Sequence, residues 1–477
     1  MTMHVENLRL TFPGSEKLMF KDVSLSIKDG EKILLLGPSG CGKSTLLQVL
    51  SGVIPHSIDV PMKADSIERP ESFGYVFQDP DAQFCMPYVD EEIAFVLENN
   101  QIPRDEMPEE IKELLEKVNL SLGDSHTKIS SLSGGMKQKL AIASALALHP
   151  HTLFLDEPTA MLDDESTKSV WETVKTTCKD KTLLIVEHKL SHVLEIIDRI
   201  ILFDANGRIV ADGPKAHILS NFKETLKSVG VWYPEAWKDY LSSHPPEKVA
   251  PFGKENLRLE NFKGYVQKEV KIHLQNAVSL KGEWIAITGK NGAGKSTLLH
   301  SLMKFIQTTG TYELYGRQVK GKNVPEECTF VFQNPEFQFV THSVFDEVAY
   351  TFRLKKVDEG IVEEKVHALL KRFKLDPYKH HHPYHLSMGQ KRRLSVAASL
   401  VRNKDILLLD EPTFGQDSQN TFALLEMLQN YQKEGCTILM VTHDENIITH
   451  FASRVWVIEN GRLTQDFYNE IAGSKAI

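Results

Sequence analysis

The chain has 477 residues, 41% hydrophobic and 25% charged, with a formal net charge of −9 from 55 basic and 64 acidic side chains. That length leaves room for two large domains or about three ordinary ones, and the lack of long polar or Pro/Gly-rich tracts argues against disorder. The acidic balance disfavours a protein that lives on a nucleic-acid backbone. The five cysteines, Cys41, Cys85, Cys178, Cys328 and Cys436, are scattered without a CxxC spacing. This fits a reducing cytosol better than a disulfide framework or a zinc site.

In chain order, the N-terminal MTMHVENLRLTF lacks the charged start and apolar run of a secretory signal. The most apolar stretches, such as 196–203, are far too short to span a bilayer. The chain is expected to be soluble and to serve a membrane only through a partner. Next comes an internal repeat. GPSGCGKSTLL at 37–47 recurs as GKNGAGKSTLL at 289–299, and YVFQDPDAQF at 75–84 as FVFQNPEFQF at 330–339. LSGGMKQKL at 132–140 recurs as LSMGQKRRL at 386–394, LFLDEPT at 153–159 as LLLDEPT at 407–413, and IVEH at 185–188 as MVTH at 440–443. The order is the same and the offset stays between 252 and 255 residues, so one domain has been duplicated. The expected organisation is domain 1 over 1–240, a linker over 241–255 (SSHPPEKVAPFGKEN spans the junction) and domain 2 over 256–477. Trp232, Tyr233, Trp237 and Tyr240 are expected to pack as a small cluster closing the first domain.

Short apolar runs at 33–36, 152–155 and 182–186, and at 285–288, 406–409 and 437–441, suit buried parallel strands. Ile111, Leu114, Leu115 and Val118 fall at i, i+3, i+4, i+7 and predict an amphipathic helix over 109–118, a helical insertion. After each His motif a hairpin is expected around Asn206-Gly207 and Asn460-Gly461, where Asn-Gly suits a type I′ turn. The fold class is α/β, a mainly parallel sheet with a β subdomain and a helical subdomain, made twice.

Both Gly-rich stretches fit GxxxxGK[ST], each after a strand and before a helix. Glycines let backbone N–H groups wrap phosphate, and the helix N-terminus adds positive partial charge. The nucleotide-binding residues expected are Gly37, Pro38, Ser39, Gly40, Cys41, Gly42, Lys43, Ser44 and Thr45, with Gly289, Lys290, Asn291, Gly292, Ala293, Gly294, Lys295, Ser296 and Thr297. The lysines should reach the β- and γ-phosphates of ATP. Ser44 with Asp156, and Ser296 with Asp410, should bind Mg²⁺. Glu157 and Glu411 can polarise the attacking water. Cys41 sits near a helix N-terminus that could lower its pKa, which makes thiol alkylation a test of the first site.

LSGGM and LSMGQ, between a phosphate loop and a strand ending in Asp-Glu-Pro-Thr, resemble the LSGGQ signature of the ATP-binding-cassette (ABC) family. The resemblance covers nearly the whole chain in two units. It implies an ATPase whose two cassettes pair head to tail within the chain. One site would combine Lys43, Ser44, Gln78, Asp156, Glu157 and His188 with Ser387 and Gly389. The other would combine Lys295, Ser296, Gln333, Asp410, Glu411 and His443 with Ser133 and Gly135. It also implies that Gln78 and Gln333 sense Mg²⁺ and water, that the two histidines contact the γ-phosphate, and that Asp163 and Asp417 lie in loops facing the interface. Phe12 would stack on adenine in the first copy, with Phe262 and Tyr265 competing for that role in the second. Met136 and Met388 depart from the signature, but the serine and the second glycine survive in both copies, so two hydrolytic sites are expected, with room for inequality between them.

FQDPDAQF and FQNPEFQF, each followed by an acidic turn, and PTFGQD at 412–417 resemble the ATPases of energy-coupling-factor importers of vitamins and transition-metal ions. The fused form resembles ATP-binding proteins of hydroxymethylpyrimidine/thiamine import. Implied partners are a transmembrane coupling protein, docked in a groove running from Asp79 to the signature, and a small substrate-binding membrane protein. No nucleic acid is expected. The place implied is the cytoplasmic face of the cell membrane. The competing readings are another ABC transporter class, such as a sugar importer, and a soluble twin-cassette factor on the ribosome. The run His380-His381-His382, with His385, is read as an exposed loop rather than a metal site.

Overall fold

Runs of residues buried on both faces dictate the two central sheets. The structure, a computed structural model, describes residues 3–469 apart from 14–16, 39, 161, 189, 248, 250, 322, 387 and 402–404. It divides into two compact units, Met1–Ala236 with Asp417–Gln419, and Trp237–Gln416 with Asn420–Ile477.

In the first unit a six-stranded sheet runs in the order Ile209–Pro214, Arg199–Phe203, Lys32–Leu36, Thr182–Val186, Thr152–Asp156, Phe73–Val76. All neighbours are parallel except the edge strand Ile209–Pro214. Thr152–Asp156 and Thr182–Val186 are buried at every position, as strands covered on both faces must be. The second unit repeats this with Cys328–Val331, Ile406–Asp410, Thr437–Val441, Trp284–Thr288, Arg454–Glu459 and the antiparallel edge Arg462–Tyr468. Each unit adds an antiparallel sheet, built on Met3–Leu10 and Phe20–Ile27 in the first and on Glu255–Val266 and Glu269–Leu280 in the second. The helical insertion is present in both. The predicted amphipathic helix spans Met107–Lys117 and buries Ile111, Leu114 and Leu115.

Two local expectations change. The hairpin at Asn460-Gly461 has both residues at positive φ (48° and 74°) between paired Glu459 and Arg462, as a type I′ turn needs. A side chain at Gly461 would place its Cβ 2.1 Å from the Lys271 carbonyl oxygen. At Asn206-Gly207 only the glycine is left-handed. There the Asp204 carboxylate accepts from the Asn206 and Arg208 amides (2.8 and 2.9 Å), and the Gly207 amide bonds the Asp204 carbonyl. That aspartate turn makes the loop longer than two residues.

The aromatic segment also divides. Tyr233 is buried in the first unit, with the Lys223 ammonium 5.6 Å from its ring centre. Trp237 and Tyr240 sit on the helix Ala236–Ser243 and join the core of the second unit instead. Tyr240 stacks on Phe422 at 4.0 Å, and Trp237 meets Phe422 and Phe451 edge-on at 5.0 and 6.4 Å. The cause is helical spacing. Trp237, Tyr240 and Leu241 share one face, and that face finds its apolar partners in the second unit.

Tyr240→Ala is therefore expected to cost the second unit about 3 kcal/mol, the range for truncating a packed aromatic. Hydrogen exchange read separately on the two units should show the loss in the second alone. An equal loss in both would reject the assignment.

Candidate functional site

Each phosphate loop leaves the C-terminal end of a central strand and enters a helix, Lys43–Ser51 or Lys295–Leu302, through a left-handed glycine. Gly42 (φ 101°) and Gly294 (φ 104°) admit no other residue cheaply, since a Cβ would lie 2.7 Å from the Phe20 ring and 2.8 Å from Ile272 Cδ1. The lysine turns back over its own loop. Lys43 Nζ donates to the carbonyls of Gly37 and Pro38 at 2.8 and 2.9 Å, and Lys295 Nζ to those of Gly289 and Lys290 at 2.7 and 3.1 Å. The side chain of Lys43 is buried against neutral acceptors, an arrangement suited to an incoming polyanion.

The neighbouring strand ends carry the acids. Ser44 Oγ donates to Asp156 Oδ1 at 2.7 Å, and Ser296 Oγ to Asp410 Oδ1 at 3.1 Å. Burial pushes both aspartates up to about 6 against these hydrogen bonds. Hydroxyl, carboxylate and the nearby amides of Gln78 and Gln333 form a hard-oxygen donor set that fits Mg²⁺, which is held by one or two carboxylates plus phosphate oxygens. Among the described residues no group of three or more His, Cys, Asp or Glu is placed to hold a metal ion.

Glu157 and Glu411 each adopt φ 47°, a left-handed conformation rare outside glycine. It is fixed by the bond from the glutamate amide to the carbonyl of Val186 (2.9 Å) or Val441 (3.1 Å). The bend turns the carboxylate toward the glutamine and histidine. In the first unit Gln78 Nε2 donates to Glu157 Oε2 at 2.8 Å and His188 Nε2 lies 3.1 Å from Oε1. Burial raises the Glu157 pKa, but His188 and Lys43 outweigh it and the net direction is down. In the second unit the same pairs are looser, 3.4 Å for Gln333–Glu411 and 3.5 Å for His443–Glu411, and His443 Nε2 makes no hydrogen bond. A further difference is one hydroxyl. Tyr75 donates to Asp156 Oδ2 at 3.2 Å, and the repeat places Phe330 there in the second copy.

Several anchoring residues escape a motif search. Asp81 and Glu336 pair with Lys137 and Lys391 at 2.7 and 2.6 Å, tying the glutamine segment to the helix after the signature. Buried Glu92 accepts from the Cys85 and Met86 amides, and Glu347 from those of Val340 and Thr341. Their signal was present as acidic positions recurring in both copies, but only pairing shows their role. Ser133 caps the helix Gly134–Leu146 by accepting from the Met136 amide, and a Cβ on Gly135 would press on Ser166 at 3.0 Å. Gly389 lies in the corresponding helix Met388–Leu400. Ser39 and Ser387 lie outside the described residues, as does the side chain of Met388.

Of the adenine candidates, Phe12 is exposed, Phe262 is fully buried in the core and so unable to stack on a base, and Tyr265 remains half-buried. Cys41 departs from expectation. Burial pushes its thiol up, overriding the nearby Lys43, and the side chain is inaccessible. The histidine run stays a loop feature: His382 Nε2 lies 3.5 Å from His342 Nδ1 in an exposed position.

Iodoacetamide should accordingly label exposed Cys85 in the native protein and reach Cys41 only on unfolding, which peptide mass mapping will show. A carboxylate raised from 3.8 to about 6 destabilises the metal-free fold once pH exceeds the folded value, and the cost fades as pH falls toward 3.8. Asp156→Asn should thus raise the metal-free stability at pH 7.5 by up to about 3 kcal/mol, with the gain shrinking as pH falls below about 6. Thermal melts across pH would read this, and a destabilised variant at neutral pH would contradict it.

The ABC transporter family profile matches residues 20–160 and 276–414. A Bacillus subtilis (strain 168) protein provisionally named HMP/thiamine import ATP-binding protein YkoD is 38% identical, over 97% of this chain and 90% of its own length. A Streptococcus pneumoniae serotype 4 (strain ATCC BAA-334 / TIGR4) protein, provisionally named an ABC transporter ATP-binding protein, is 35% identical over 93% of this chain and 86% of its own. Among solved structures, cbiO1 from Clostridium perfringens, described as part of the ABC transporter complex cbiONQ, is 29% identical, with a TM-score of 0.41, over 45% of this chain and 89% of that one. With the profile matched twice and similarity running along nearly its full length, the chain belongs to the ABC transporter family, as an ATP-binding protein whose ATPase activity is coupled to transport.

Proposed function

We propose that the chain is the energy-coupling ATPase of an energy-coupling-factor type importer, with its two ATPase domains working as an intramolecular pair. It would act peripherally at the cytoplasmic face of the membrane through a transmembrane coupling protein and a small substrate-binding membrane protein. The cargo class is a vitamin or vitamin precursor of the hydroxymethylpyrimidine/thiamine kind, or a transition-metal ion. The observation that carries the ATPase part is the glutamate bent at φ 47° toward a glutamine and a histidine, beside a Ser–Asp pair, in both units. The importer part is supported by the paired Asp/Asn-Pro-x-x-Gln segments and by the name of the Bacillus subtilis relative. No helix among the described residues is long and apolar enough to cross a membrane, in keeping with partners that do.

In this reading the loop amides and Lys43 or Lys295 bind the phosphates. Mg²⁺, when bound, would neutralise phosphate charge, held by Ser44, Gln78 and Asp156 or by Ser296, Gln333 and Asp410. Glu157 and Glu411 orient water and accept its proton, and Gln78 and His188 hold the first of these carboxylates in place.

Glu157→Gln or Glu411→Gln alone should lower steady-state ATPase by about half or more, and the pair by about 10² or more. Unchanged turnover in either single variant would reject two working sites. A pull-down of the tagged chain from mildly solubilised membranes should bring a coupling protein and a small multi-helix membrane protein. Ribosomal proteins with no membrane partner would instead point to a soluble twin-cassette factor.

A further inference from the structure

One buried charge of the second unit has a neutral counterpart in the first. The helices Gly134–Leu146 and Met388–Leu400 follow the two signatures, and at the same position the first carries Gln138 and the second Arg392. Both are buried, 2% and 4% exposed. Each reaches the carbonyl of the phenylalanine just before the site glutamine. Gln138 Nε2 lies 3.5 Å from the Phe77 oxygen, at the limit of a hydrogen bond, whereas Arg392 Nη1 donates to the Phe332 oxygen at 2.8 Å. The Arg392 Nε is buried with no hydrogen-bond partner. Burial pushes its pKa down to about 10 against the pull of Glu411 and Asp410, so it stays a cation at neutral pH. A buried guanidinium with an open donor costs free energy that a glutamine at the same place would not. Its firm contact is with the backbone that carries Gln333.

We propose that Arg392 is a positioning residue of the second unit: through the Phe332 carbonyl it pins the segment bearing Gln333, which its counterpart Gln138 holds only weakly in the first. The functional part of this rests on the reading of Gln333 and Glu411 as site residues. The pinning holds Gln333 through its backbone, where its side-chain contact with Glu411 is the looser of the two copies.

The test uses the full chain. Amide hydrogen exchange is followed over 332–341 and 77–86 in Arg392→Gln, Arg392→Lys and Gln138→Arg, and ATP turnover is measured in a Glu157→Gln background. Losing a charge-assisted hydrogen bond should speed exchange over 332–341 about tenfold in Arg392→Gln, with exchange over 77–86 unchanged. Turnover should fall with the KM for ATP unaltered. Arg392→Lys, which keeps the charge and a donor, should recover part of both, and Gln138→Arg should slow exchange over 77–86. Unaltered exchange over 332–341, or faster exchange spread evenly through the second unit with a lower melting temperature, would overturn the positioning role, as would local loosening without any change in turnover. Glu411→Gln is measured alongside. If it leaves turnover unchanged, the site reading fails, while the exchange data still decide whether Arg392 pins the segment.

Discussion

The bond between the Ser44 hydroxyl and the Asp156 carboxylate, 2.7 Å long, ties the helix that the phosphate loop enters to a strand that does not neighbour the strand before the loop. Lys32–Leu36 and Thr152–Asp156 both pair with Thr182–Val186, so they stand on either side of it, about 10 Å apart. The loop leaves its strand and continues as a helix whose second residue, Ser44, meets the aspartate. The second unit solves the same problem with Ser296 and Asp410 at 3.1 Å. Parallel pairing matters here because it sends every strand end, loop and acid to one edge of the sheet.

That meeting comes at an energetic cost. Burial raises both aspartates to about 6, and each following glutamate is bent into a backbone region that side chains disfavour. The surrounding sheet over-determines both features, through the strand register and through the glutamate amide bonded to Val186 or Val441. A divalent cation bound at these carboxylates, as proposed, would stabilise the ionised forms that burial destabilises.

The two copies share this frame and differ in its trim. The first unit has a tyrosine hydroxyl on its aspartate and short contacts from glutamine and histidine to its glutamate. The second has phenylalanine there, longer contacts and a buried guanidinium beneath the glutamine segment. None of these differences alters the loop glycines, the lysines, the serines or the acids. The difference between the copies lies in contact lengths and in the neighbours of the candidate site residues, whose types are kept.

The sequence by itself determined the duplication and the parallel strands, and it marked the loop lysines, serines and acids as site candidates, because a phosphate-binding loop tolerates few residues at few spacings. Runs such as TLFLD and TLLIV suit buried strands, and they form them. Three things were decided by tertiary structure. The segment with Trp237 and Tyr240 could close either half by its composition, and the packing of Tyr240 on Phe422 chose the second. The Cys41 thiol sits near a helix start, which lowers a pKa, but it is buried, which raises one, and burial won. The Asn-Gly turns read alike, yet Asp204 captured two amides and made one of them longer. In each case local chemistry left two outcomes close in energy, and contacts from residues distant in the chain or on the loop's flank settled which one formed.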